Sequence, residues 1–583
     1  MMLPDASQHN TSLMLLEGGL TAISFAVAFA WPRLGDSWFA RIEQAFSRLA
    51  RRRGLAVATV GIATFLLRLV LLPFLPRPLP FAPDDFSFLL AADTFAHGRL
   101  ANPTPPMWIH FESIHITMYP TYMSMYFPGQ GLLLAAGQIL FGNPWYAILL
   151  SSALMCAALC WMLQAWLPPK WALLGGCIAV LRLGLFSYWT NTYHAAGSLA
   201  ALGGALVLGA LPRLIKTSRL RYGLLMGLGM AILVLTRPYE GILLCLPVAF
   251  VLCRWLWKGR NHSRTAPRIR LIAASLTFVI AAAAWMAYYD YKAFGNPLTP
   301  PYTVNRATYA IAPYYVWQKQ RPEPPYRYAE MRNFYYKGEM DYYLQIHSLK
   351  RFIPYTLAKV GTMFLFYSGV ALIIPLIMVR RVFLDRRIRF LVVGVLFLSA
   401  GMVIEIYLLP HYVALSTAAF YAIGLQAMRH LRLWKPEHKP VGLALVRFSI
   451  VLCVLLAVLR VFAEPLHFAP TQWPPSSWNF TWYGPQHFGT ERARVDEQLQ
   501  HIPGGQLAIV HYSSTHNPFD EWVYNSADIN DSKVVWAREM DAADNLKLMA
   551  YYPDRKVWLV EPDEVPARIT PFSVPGQPVA ATK

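Results

Sequence analysis

Two adjacent carboxylates, Asp84 and Asp85, stand in the run Phe81-Ala82-Pro83-Asp84-Asp85-Phe86, directly after an apolar stretch. Partial burial among aromatic rings would raise a carboxylate's pKa and suit it to take a proton from a hydroxyl group. The same residues also read as the start and cap of a helix over 86–97, and the two readings are compatible. Further on come His110, Glu112 and His115. They could hold a metal or contact phosphate, but their spacing matches no standard metal motif. Other polar residues cluster where apolar runs end: Asn191, Tyr193 and His194, then Thr236-Arg237-Pro238-Tyr239-Glu240, then Pro410-His411-Tyr412. Turns need polar residues. Arg237 stands out among them, because a cation at a membrane interface could stabilise a departing phosphate through charge-assisted hydrogen bonds. Glu17, Arg182 and Glu405 lie deeper inside apolar runs, where each charge costs about 3 kcal/mol to insert.

The elements that position these residues follow from composition. Of 583 residues, 56% are hydrophobic and 14% charged, against roughly 25% charged in soluble domains. Apolar runs recur at 13–31, 55–77, 145–166, 171–188, 197–211, 222–236, 241–257, 271–289, 356–379, 390–409, 412–428 and 441–462. Each is of the order needed to cross a bilayer. The chain therefore reads as a mainly α, polytopic membrane helical bundle of about 12 spans. The net charge of +20 does not point to nucleic acid. Half of the lysines and arginines fall in six short segments, at 32–54, 167–170, 212–221, 254–270, 380–389 and 429–440, whose acids are only Asp36, Glu43, Asp385 and Glu437. The positive-inside rule makes that side cytoplasmic. The apolar run 129–142 would reverse every later loop if it crossed, so it reads as a juxtamembrane helix on the outer face. Both termini are then extracytoplasmic, and the first run reads as a retained span, not a signal peptide. Segment 38–53 is amphipathic, suited to the cytoplasmic headgroup layer. The six cysteines all lie within apolar runs, so no outer disulfide framework is expected.

Three long segments share the outer face: about 78–144, about 290–355, and the tail from 463. Long loops of this kind are uncommon without a functional reason. The tail reads as a helix at 490–501, strands at 507–512 and 533–537, a helix at 541–551 and a strand at 556–561, a small extracytoplasmic α/β domain over 463–583. Residues 1–462 form the membrane domain. No internal repeat of the transporter type is visible.

With these residues in view, the layout resembles the GT-C superfamily of membrane glycosyltransferases, which includes protein O-mannosyltransferases, the aminoarabinose transferase of lipid A and the RgtA/B/C/D-like bacterial group. The resemblance rests on Pro83-Asp84-Asp85, on Tyr126-Phe127-Pro128-Gly129 leading to Phe141-Gly142-Asn143-Pro144-Trp145, on Thr236-Arg237-Pro238, and on Phe294-Gly295-Asn296-Pro297-Leu298. It covers roughly residues 55–430. It implies a first-loop acid as catalytic base, here Asp84 or Asp85, and outer-face basic residues that hold a lipid phosphate. Arg237, His194, Arg306 and His411 are the positional candidates. The expected activity is an inverting glycosyl transfer from a polyprenyl-phosphate sugar, within membrane lipid, to a glycan, lipid or protein acceptor. No cofactor is expected, and a divalent metal is allowed but not indicated. The expected location is the inner membrane, with the active site outside. The N-terminal span and the α/β tail are not core features of the family. Two other classes fit twelve spans: a lipid or polysaccharide transporter, and a non-catalytic assembly protein of the cell envelope.

Overall fold

The computed structural model describes residues 4–194, 196–258, 265–463, 465–466 and 488–572. The molecule is mostly helical with a small C-terminal α/β unit. Six helices are long and apolar enough to cross a membrane: Arg53–Val70, Trp145–Trp166, Gly197–Thr217, Pro238–Lys258, Ala266–Phe294 and Val441–Phe462. Three shorter apolar helices, Leu15–Ala30, Leu220–Thr236 and Arg389–Val403, accompany them. Every apolar run named above carries helix, but several are shorter or broken. The run 171–188 divides into a helix over Pro169–Ala179 and a wide turn over Val180–Gly184. The run 356–379 bends by 91° between Lys350–Tyr367 and Val370–Leu384. The bend has a visible fastener. Arg182 donates to the carbonyls of Leu365 and Phe366 at 3.0 Å each. At Gly369 (φ +59°) a Cβ would stand 2.3 Å from the Arg182 guanidinium, so only glycine lets it approach.

Of the other charges within apolar runs, Glu17 pairs with Arg460 at 3.1 Å, both side chains buried, tying the first helix to the last. The amphipathic segment forms a helix over Asp36–Arg51. Its Asp36 and Glu43 pair with Arg447, and Glu43 also with Arg432, while Trp38 and Ile42 stay exposed.

The helix Pro128–Phe141 has 14 residues, too few to span a bilayer core of about 20. Its end explains a motif that recurs. Gly142 takes a left-handed conformation (φ 68°) and Asn143 Oδ1 accepts from the Trp145 N–H at 3.0 Å. Gly295 (φ 71°) and Asn296 repeat the device, with Asn296 Oδ1 accepting from the Leu298 N–H at 2.9 Å. Phe-Gly-Asn-Pro is thus a helix stop followed by an Asx turn.

The three long segments pack on one another. The first contributes a small antiparallel sheet in the order Asn102–Pro103, Thr121–Ser124, Ile116–Thr117. The tail contributes Thr490–His501 and a four-stranded sheet in the order Val534–Arg538, Gly505–Val510, Arg555–Glu561, Arg568–Pro571. The first three strands are parallel, with Leu507 opposite both Val535 and Val557, and the last is antiparallel. Only that fourth strand lay outside the sequence reading. The tail shares a core with the first loop, where Leu90, Phe111 and Tyr122 pack with Leu507, Ile509 and Val535.

Candidate active site

The helix Pro83–Ala96 begins with Pro83 in its first turn, where the missing N–H costs nothing, and its first turn carries both acids. Negative charge there faces the positive end of the helix dipole. The two acids then part. The Asp85 side chain is 1% exposed. Its Oδ1 accepts from the backbone N–H of Tyr193 (2.9 Å) and of His194 (3.0 Å), and lies 2.8 Å from His194 Nδ1. The Asp84 side chain is 30% exposed. Its Oδ1 accepts a short hydrogen bond from the Tyr126 hydroxyl and lies 3.4 Å from His115 Nδ1.

The motif residues assemble this corner. Tyr126 stacks on Phe88 at 4.3 Å and sits 3.0 Å from His115 Nδ1. Gln130 donates to the Tyr193 carbonyl at 3.1 Å and Tyr193 to that of Pro78 at 3.0 Å, fixing the 192–194 turn. A Cβ at Gly129 would stand 2.6 Å from Thr236 Cγ2 and 2.8 Å from the Leu235 oxygen. Glycine there lets the juxtamembrane helix meet the turn that carries Arg237. His115 holds a left-handed backbone (φ 64°), a strained state for a residue with a Cβ. Ser87 donates to the His115 carbonyl at 2.7 Å, and the His115 N–H donates to the Tyr335 phenol oxygen at 3.4 Å.

Arg237 lies over the Tyr412 ring at 4.4 Å and 3.5 Å from Glu240. His411 is buried, with Nδ1 2.6 Å from the Tyr188 hydroxyl, whose oxygen accepts from the His411 N–H at 3.1 Å. The charges of Arg237, His194 and Asp84 all reach His411, and those of Arg237 and Asp84 also reach Tyr412. The structure thus brings Asp84, Asp85, His115, His194, Arg237 and His411 into one neighbourhood.

Electrostatics there differ from the expectation of a carboxylate raised by burial. Burial does push the Asp84 carboxyl up, but His115, His194 and the Tyr126 hydroxyl outweigh it and hold it well below the usual range. Burial would lower His194, yet Asp85 and then Asp84 raise it. Burial, Arg237 and His194 together push His411 well below its ordinary value, so its ring is neutral at pH 7. Burial would lower Arg237, but Glu240, Tyr412, Tyr314 and Glu405 together outweigh it and keep it charged.

The remaining candidates are engaged elsewhere. Arg306 pairs with Glu339 at 2.5 Å and donates to the Ala312 carbonyl at 2.6 Å. His110 Nδ1 lies 3.3 Å from the Arg538 carbonyl. Glu112 accepts from Tyr309 at 3.0 Å and pairs with Arg327 at 3.0 Å. His110 and Glu112 brace the first loop against the tail and the second segment, and Arg306 is tied within the second. Among the described residues no group of three or more His, Cys, Asp or Glu stands where it could hold a metal ion.

No family model matches the chain, and no curated protein matches it. Solved structures do. One is the oligosaccharyltransferase of Archaeoglobus fulgidus in complex with zinc and sulfate, 11% identical over 87% of this chain and 67% of that one, with a TM-score of 0.44. In its apo form that enzyme matches over 79% of this chain, which spans 62% of its length, with 10% identity and a TM-score of 0.41. Another is ArnT from Cupriavidus metallidurans bound to undecaprenyl phosphate, 12% identical over 87% of this chain and 92% of that one, with a TM-score of 0.44.

Sequence reasoning passed over Tyr126, Tyr188 and Tyr412 as site residues. Tyr126 lies in a quoted motif and Tyr412 beside His411, and that adjacency was the available signal. Tyr188 carried none. It also missed how the tail grips the acidic helix. Glu521 donates its N–H to the Phe81 carbonyl at 3.1 Å, Tyr524 stacks on Phe86 at 4.7 Å, and the Arg492 guanidinium lies 4.8 Å from the Phe86 ring. Residues on both sides of Pro83-Asp84-Asp85 are therefore held by the tail.

Proposed function

We propose that this chain transfers a glycosyl group from a polyprenyl-phosphate sugar to an acceptor hydroxyl on the extracytoplasmic face of the membrane, with inversion at the anomeric carbon. The observation that carries the reading is the neighbourhood of one partly exposed, ionised carboxylate, Asp84, with a buried charged guanidinium, Arg237, and a neutral imidazole, His411. In the reaction the acceptor oxygen attacks the anomeric carbon, the bond from that carbon to the phosphate oxygen breaks, and the polyprenyl phosphate leaves with the electron pair. Asp84 takes the hydroxyl proton. A carboxylate this acidic takes it late, once bonding of the acceptor oxygen to the anomeric carbon has made the hydroxyl a strong acid. Arg237 and His411 would stabilise the phosphate charge as it grows. Asp85 serves by holding the 193–194 turn and His194 in place. On this reading residues 1–462 carry the chemistry and the tail completes the wall of the site from outside.

The test is transfer by the full chain from a polyprenyl-phosphate sugar, compared with Asp84→Asn and Asp85→Asn. Full turnover by both variants would remove the acid–base assignment. Movement of an intact glycolipid across a vesicle membrane without transfer would favour the transporter reading instead.

A further inference from the structure

We propose that a pocket of about 470 Å³ at the opposite, basic side of the bundle binds the anionic headgroup of a phospholipid. Its lining includes Phe29, Trp31, Arg33, Leu34, His438 and Lys439. Helix Pro4–Ala30 ends at its edge and helix Val441–Phe462 begins there. The two helices pack together. A spanning helix ends where the hydrocarbon gives way to headgroups. The position of the pocket therefore places it at headgroup level, between two helix ends.

Its chemistry matches that level. Trp31 and Leu34 are exposed, as is Trp38 on the neighbouring amphipathic helix, which is the usual arrangement of interfacial anchors. Among the described residues no hydrogen bond or ion pair engages the Arg33 or His438 side chain. Lys439 has only an exposed pair with Glu437 at 3.2 Å, which holds it weakly. Of the acids nearby, Asp36 pairs with Arg447 and Glu43 with Arg447 and Arg432, while Glu437 sits in its exposed pair with Lys439. Glu437 and His438 both hold left-handed backbones, at φ 50° and 61°. Consecutive residues with side chains adopt that state at a cost, and such strain gathers at binding sites.

Two cations, Arg33 and Lys439, over a phosphodiester account for the charge, with the His438 ring beside them. Phe29, Trp31 and Leu34 beside them account for the choice of a lipid over a free anion, because only an amphiphile fills both halves of the lining. The inference is independent of the transfer reaction, since none of these residues lies in the Asp84 neighbourhood.

The experiment uses the full-length protein in detergent, examined by native mass spectrometry. Phosphatidylglycerol, phosphatidylethanolamine and inorganic phosphate are titrated in separate arms. One phosphatidylglycerol is retained in preference to phosphatidylethanolamine. Arg33→Gln with Lys439→Gln lowers its affinity by about 25-fold, roughly fivefold per surface cation removed. Lys216→Gln with Arg219→Gln, two exposed cations of another basic segment, leaves it unchanged. Equal loss in both double variants would reduce the effect to diffuse attraction and overturn the site. So would full retention by the Arg33/Lys439 variant. Displacement of the lipid by millimolar phosphate would overturn the choice of a lipid and leave a free-anion pocket.

Discussion

Asp84→Asn and Asp85→Asn, made one at a time, separate a proton acceptor from a structural cap. In Asp84→Asn the shape is kept and Oδ1 can still accept from Tyr126, but the charge that His115 and His194 favour is lost, so the melting temperature falls as well. What goes is the only partly exposed acid of the pair. Loss of a general base lowers turnover by about 10²- to 10⁴-fold. Asp85→Asn acts differently. Its carboxylate holds two backbone N–H groups at 2.9 and 3.0 Å and the His194 ring at 2.8 Å. A hydrogen bond to a charged group contributes about 1.5–3 kcal/mol. An amide oxygen keeps the acceptor but not the charge, so a destabilisation of about 2 kcal/mol follows, with a lower melting temperature and a smaller loss of turnover. The assay is transfer from a polyprenyl-phosphate sugar, with thermal unfolding of each variant alongside. Near-normal turnover in Asp84→Asn would refute the reasoning. So would a large loss in Asp85→Asn with an unchanged melting temperature, because it would hand the chemistry to the buried acid.

Other perturbations test other links. The Asp84 carboxyl is held below its unfolded value of about 3.9, so its contribution to stability is present above that value and lost as pH falls through the folded one; a transfer rate measured from pH 5 to 8 shows no acid limb from Asp84. Arg237→Lys keeps a charge beside Glu240 but loses the planar fork, and binding of undecaprenyl phosphate measured by titration weakens by about 10-fold while the melting temperature holds. Arg237→Ala leaves Glu240 buried without its partner and costs about 3–5 kcal/mol on unfolding. Gly129→Ala forces a Cβ against the Leu235 oxygen and Thr236, displacing the turn before Arg237; the KM for the lipid donor rises. Removing residues 463–583 uncovers Phe81, Phe86, Phe111 and Tyr122 and abolishes transfer, whereas a truncated chain with intact activity would make the tail accessory.

What the sequence made legible was local. The tail strands follow from runs of Val, Ile and Leu bounded by turn residues, and all five of its predicted elements lie within a few residues of those observed. Phe-Gly-Asn-Pro reads as a stop because glycine and asparagine act on their immediate neighbours. The span count was less legible, since hydropathy reports apolar length and not continuity. The run around Arg182 looks like one helix until a guanidinium, Gly369 and the end of a distant helix meet there. The division between Asp84 and Asp85 was not legible at all. Both have the same side chain in the same turn, and what separates them is supplied by Tyr126 and His115 on one side and by the 193–194 turn on the other.

The same contrast bears on how the site is built. His110 and His115 are five residues apart in one loop, yet the first faces the tail and the second faces Asp84. The difference lies in what each is packed against. His115 is held between Tyr126, Phe334 and Tyr335, which come from the first and second loops. The tail grips Phe81 and Phe86 on either side of the acids. Three segments remote in sequence thus fix one carboxylate. Arg492 offers the means to separate placement from chemistry. It donates to the Trp522 and Tyr524 carbonyls and lies over both Phe86 and Trp536. Arg492→Lys keeps a cation but cannot reach both carbonyls and both rings as a plane. If the tail places Asp84, this variant lowers kcat while binding of undecaprenyl phosphate is unchanged, because Arg237 is untouched. If the tail only stabilises the fold, the melting temperature drops and kcat of the folded fraction stays at the wild-type value, which would refute the placement role.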